Sequence, residues 1–150
     1  MLKEHGRTLR WLKSAFMEIK YTMGIRLENT IRRYLEHYLR DIGLLPEEKK
    51  LTSKFFEHEG ERIEINIFCD EPLVLGEVTT FLHGLDEFNA IIEKFEIVER
   101  IIGKTAKLKI VFIGGVNEEI YEKVVEVANK HDVKIIVGEI VELWKPHFMS

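Results

Sequence analysis

The chain has 150 residues, 45% of them hydrophobic and 32% charged, with a formal net charge of −4, the scale of one compact domain with material left for an extension. No stretch approaches the roughly 20 consecutive apolar residues of a membrane span, and the N-terminus lacks an apolar run ending in small residues, so a cytoplasmic protein without membrane contact is expected. Cys69 is the single cysteine, which excludes an internal disulfide and any multi-cysteine zinc site.

Glutamine is absent, and lysine, arginine and glutamate dominate the polar residues. That bias is typical of hyperthermophile proteins, in which ion-pair networks gain weight as charge hydration becomes less favourable on heating; an archaeal source fits it. Charge is uneven along the chain. Residues 1–40 hold nine Lys/Arg against four Asp/Glu, whereas the remainder holds thirteen against twenty-two.

From Leu9 to Ile42 the apolar residues recur in steps of three and four, the spacing of a helical stripe. Leu9, Leu12, Phe16, Ile19 and Met23 alternate as in a coiled-coil seam, so a homodimer through this N-terminal helix is expected, with a folded-back hairpin as the other way to cover the stripe. Gly24 divides a helical arm, residues 1–24, from an α/β domain, residues 25–150. Gly43 and Pro46 end the second helix.

The period then changes to two. Residues 54–58, 62–69 and 73–79 read as three strands of an antiparallel meander, with turns at Glu59-Gly60-Glu61 and Asp70-Glu71-Pro72. Strict alternation along the second strand sets Ile63, Ile65 and Ile67 on one face and Glu64, Asn66 and Phe68 on the other. Residues 85–102 form a helix closed by Gly103, and 107–113 form a fourth strand. Gly114-Gly115 reads as a strand-to-helix turn rather than a phosphate loop, since no further glycine or lysine accompanies it. Asn117 caps a helix over 118–130, and 133–141 is the fifth strand. The expected architecture is a mixed central sheet of about five strands flanked by helices.

Glu77 is the unusual residue, an acid within Leu73-Val74-Leu75-Gly76-Glu77-Val78-Thr79. One reading sets it in solvent beyond the covering helix. The other brings it to Glu64 and Asn66 of the neighbouring strand as oxygen ligands of magnesium, or manganese in its place, which would activate a water for phosphodiester hydrolysis.

Over residues 25–141 the order of elements and these residues resemble the PD-(D/E)XK nuclease superfamily, in particular archaeal members with a coiled-coil arm before the core. Ile63-Glu64-Ile65-Asn66-Ile67 and Leu75-Gly76-Glu77-Val78-Thr79 stand where the family has its acidic strand and its acid-X-lysine motif, and Glu28 stands at its helix glutamate. The resemblance implies a restriction-endonuclease-like core and a site of Glu28, Glu64, Asn66, Glu77 and Thr79, with Glu64 and Glu77 on the metal and DNA as substrate. It departs from the family at two positions. Asn66 falls where the aspartate is expected, and Thr79 replaces the lysine, so a cation would have to come from Lys54, Arg62 or Lys94. Arg7, Arg10, Lys13, Lys20, Arg32 and Arg33 could track a nucleic-acid backbone without reading sequence, or pair with acidic protein surface. The six histidines show no ligand spacing. The sequence thus offers two functions: a metal-dependent DNA nuclease, or a non-catalytic interaction module of the same fold.

Overall fold

The computed structural model describes residues 27–142. In chain order the elements are helix α1 (Leu27–Asp41), strands β1 (Thr52–His58), β2 (Glu61–Asp70) and β3 (Leu73–Thr79), helix α2 (Leu85–Ile102), strand β4 (Leu108–Asn117), helix α3 (Glu118–Lys130) and strand β5 (Lys134–Val141). The arm over residues 1–24, and its boundary at Gly24, lie outside the described residues.

The five strands form one mixed sheet in the order β1-β2-β3-β4-β5. β1, β2 and β3 run antiparallel, and β4 and β5 continue parallel to β3. Parallel neighbours need crossover helices. The two crossovers advance in the same direction across the sheet, so a common right hand lands α2 and α3 on the same face. There Phe88, Ile91, Ile92, Phe95 and Val98 of α2 and Val124 and Ala128 of α3 meet Ile65, Phe68, Leu75, Val111 and Ile113. α1 covers the opposite face, where Leu27, Ile31, Leu35, Tyr38 and Leu39 pack on Ile67, Cys69, Val74, Ile110 and Phe112. Ile31, Leu35 and Leu39 are fully buried, each contributing roughly 1.5–3 kcal/mol relative to exposure. The loop after α1 is tied back by Arg40, which pairs with Glu36 at 2.9 Å and donates to the Lys49 carbonyl at 2.8 Å, while the Leu51 N–H donates to Glu36 at 3.1 Å.

Two expectations from the sequence need correction. Gly114-Gly115 is no turn: β4 runs on to Asn117, because Gly115 pairs with Glu139 of β5 and Val116 bridges to Leu82. The alternation assigned to β2 also fails. Ile65 and Phe68 share the α2–α3 core, while Ile67 lies in the α1 core. The reason is a bulge: Thr52 pairs with Phe68 but Lys54 pairs with Ile65, so β2 carries one extra residue and every side chain beyond it changes face.

β2 and β3 approach closely just past the bulge. A methyl group on Gly76 would lie 2.9 Å from Ile67 Cβ and 3.2 Å from Ile110 Cγ2, a clash with strand residues rather than flexible tips. Gly76→Ala is therefore expected to cost about 1–3 kcal/mol, the range for overpacking a core, read as a lowered urea midpoint with unchanged slope.

Candidate functional site

The paired register of β2 and β3 ends at Ile67 opposite Gly76. Beyond it side chains take over from the backbone. Glu77 Oε2 accepts from the Asn66 N–H at 2.8 Å, and Asn66 Oδ1 accepts from the Val78 N–H at 2.9 Å. Each strand thus satisfies the other's exposed backbone donor with a side chain, where the bulge has pulled the two backbones out of register. Asn66 also donates through Nδ2 to Glu64 Oε1 at 3.3 Å, and its carbonyl accepts from Arg32 Nη1 of α1 at 2.7 Å. Arg32 is held in turn by Asn29 through Nη2.

Glu77 and Asn66 are the buried polar or charged residues among those described, 5% and 8% exposed. Glu77 does not face solvent beyond the covering helix. Its second oxygen, Oε1, receives the ammonium of Lys94 from α2 in a hydrogen-bonded ion pair. Burial raises the carboxyl above the ordinary glutamate value of 4.5 as the largest influence, opposed by the Lys94 hydrogen bond and charge and by the Asn66 N–H, with nearby Glu64 adding to the rise.

Of the three cations that might replace the missing motif lysine, Lys94 alone is on Glu77. Lys54 sits over the rings of Phe56 and Phe68, 5.7 and 5.4 Å from their centroids, and Arg62 stacks on Phe55 at 3.7 Å. Thr79 donates its hydroxyl to the Phe81 carbonyl at 3.2 Å and to Glu87 at 3.5 Å, in a turn that also holds the His83 N–H on Glu87 at 3.1 Å. Glu28 is exposed on α1, and neither a hydrogen bond nor an ion pair ties it to Glu64, Asn66 or Glu77. Arg33 is exposed and Arg32 is committed to Asn66, whereas Arg7, Arg10, Lys13 and Lys20 lie outside the described residues.

These positions decide how well a magnesium ion fits. The alternation that sends Ile65 into the α2–α3 core sends its neighbour Glu64 to the α1 side, while Glu77 meets α2. The two carboxylates reach Asn66 from opposite faces of the sheet. Both oxygens of Glu77 are engaged by donors, and no group of three or more His, Cys, Asp or Glu converges among the described residues. A hard divalent cation needs several free oxygens on one side, so the residues as arranged do not fit it. An open depression of about 510 Å³ lies at the C-terminal end of α2, lined by Glu99, Arg100, Lys104 and Lys109 among others, and none of Glu28, Glu64, Asn66, Glu77 and Thr79 lines it.

Comparison with family models, curated proteins and solved structures finds no match for this chain.

The Glu77–Lys94 pair generates a mutational cycle and a pH profile. Lys94→Met strands a buried carboxylate and should cost about 2–3 kcal/mol at pH 7, less than the roughly 3–5 kcal/mol of a fully buried pair because the lysine side chain is 30% exposed. Glu77→Gln keeps an acceptor for the Asn66 N–H and frees Lys94 to reach water, so about 1 kcal/mol is expected; adding Lys94→Met to it should cost little more. A raised carboxyl binds a proton in the folded state that the unfolded chain has already released. Its contribution to stability is therefore full below pH 4.5 and lost as pH rises through the folded value. Urea titrations across this range should show that slope in the wild type and its absence in Glu77→Gln.

Proposed function

We propose that the chain is a non-catalytic interaction module on a nuclease-like α/β scaffold, in which the acidic centre serves as an internal clasp. The observation that carries this reading is the engagement of both Glu77 oxygens, one by Lys94 and the other by the Asn66 N–H. A carboxylate whose two oxygens each accept a donor from its own fold holds strands and helix together and has to give up those bonds before both oxygens can serve a ligand. Asn66 completes the clasp because its amide donates to Glu64 and accepts from Val78 at once, which an aspartate could not do.

The surplus of basic residues over 1–40 supports non-specific attraction to a nucleic-acid backbone, and the apolar spacing at Leu9, Leu12, Phe16, Ile19 and Met23 supports self-association through the arm. A second reading is a magnesium-dependent nuclease acting on DNA. It is favoured by the ammonium of Lys94, which stands beside Glu77 where Thr79 supplies no positive charge. That reading requires the Glu77–Lys94 pair to open.

One set of samples separates the two. Calorimetric titration of magnesium and manganese should give no saturable binding, and supercoiled plasmid should stay intact, while a labelled duplex is retained with an affinity that falls steeply as salt rises. Saturable metal binding together with plasmid nicking, both lost in Glu77→Ala, would establish the nuclease instead. Asn66→Asp sharpens the comparison. It sets a third carboxylate between Glu64 and Glu77, so the variant should be less stable than the wild type at pH 7 and regain stability when magnesium is added.

A further inference from the structure

The depression at the C-terminal end of α2 is walled by groups of both charges, and they are committed unequally. Its two carboxylates are engaged: Glu99 Oε2 accepts from the Ala106 N–H at 2.8 Å, and Glu96 lies 3.4 Å from His131 Nδ1. Its donors are not. Lys109, near the start of β4, has only 14% of its side chain exposed, yet Glu99 Oε1 is 3.8 Å away, beyond hydrogen-bond reach, and no acceptor among the described residues takes its ammonium. Arg100 is exposed and makes neither a hydrogen bond nor an ion pair among the described residues. In the loop after α2, Gly103 and Lys104 donate their N–H groups to the Glu99 carbonyl at 2.8 and 3.3 Å, and Lys107 donates to the Leu73 carbonyl at 2.8 Å. Thr105, between them, has both its N–H and its hydroxyl unclaimed among the described residues. Lys104 is held by Glu71 at 2.7 Å, with side chains 39% and 75% exposed, a surface pair that a competing anion can exchange.

We infer that this depression is a phosphate site, with the phosphate seated on the Lys109 ammonium, met from the helix by the Arg100 guanidinium and from the loop by the N–H and hydroxyl of Thr105. The donors stand on a strand, a helix and a loop, so they approach from three sides. That suits a tetrahedral oxyanion better than a planar carboxylate, whose two oxygens use fewer directions. A metal cation is disfavoured, because both acids already have partners and three cations line the same wall. The carbonyl end of α2 works against an anion; Gly103 and Lys104 offset this by donating to the Glu99 carbonyl. Glu99 acts as a positioning residue, holding the loop through Ala106 and facing the Lys109 ammonium at the floor. The depression is open, so the rest of the ligand stays in water. The same chemistry therefore takes the end of a small phosphorylated molecule or one link of a nucleic-acid backbone.

This inference uses no residue of the Glu77 centre or of the arm. Titration of the isotope-labelled full chain with inorganic phosphate, followed in the amide NMR spectrum against sodium chloride at matched ionic strength, should give saturable shifts at Thr105 and Lys109 that chloride does not produce. Arg100→Gln, on an exposed side chain, should weaken phosphate about tenfold, and Lys109→Met by at least as much. Glu77→Gln should leave the affinity unchanged, so that failure here and failure of the interaction-module reading are told apart. Glycerol phosphate and a short DNA duplex separate the two sources. Shifts at these amides with the duplex, weakened in Arg100→Gln, assign a nucleic-acid backbone; shifts with glycerol phosphate and none with the duplex assign a small molecule. Three outcomes overturn the site: no shift at Thr105 and Lys109 with phosphate, equal shifts with chloride, or phosphate shifts indifferent to Arg100→Gln.

Discussion

The structure turns on one exchange of hydrogen bonds. At the point where the bulge separates β2 from β3, the Asn66 N–H goes to the Glu77 carboxylate and the Val78 N–H goes to the Asn66 amide. A sheet interior cannot leave either donor unpaired, since a buried unsatisfied group costs on the order of 1–3 kcal/mol. Side chains of the right length close the gap. The remaining oxygen of Glu77 is met from outside the sheet by Lys94 of α2, one of the two helices that cover that face. On the other side Arg32 of α1 binds the Asn66 carbonyl. Both helical layers are thereby registered to the same break in the sheet.

The same arrangement shows that carboxylates adjacent in strand pattern can be placed apart by the fold. Carboxylate chemistry depends on which lone pairs are free and which way they point, more than on the presence of two acids on neighbouring strands. Here the bulge sends Glu64 to the α1 side and leaves Glu77 on the α2 side, with Asn66 between them. Burial then raises the Glu77 carboxyl, and the lysine and the backbone donor bring it back toward ionisation. The centre is hydrogen-bonded and internal.

The sequence by itself determined the elements of the described region and their order. Helix period over Leu85–Ile102, strand period over Leu73–Thr79, the glycine at 103 and the asparagine cap at 117 are local properties, set by side chains within a few residues of one another. It also singled out Glu77 as a charge in an apolar strand and named Lys94 among the cations within reach. The bulge was not legible, because Ile63-Glu64-Ile65-Asn66-Ile67 satisfies a perfect alternation and only the pairing with β1 inserts the extra residue. The choice of Lys94 over Lys54 and Arg62 was not legible either, since it depends on where α2 crosses the sheet and on which aromatic rings the other two cations find. Periodicity is written in the chain. Which face a side chain takes after an irregularity, and which charge meets it there, is decided only when the strands and helices are brought together.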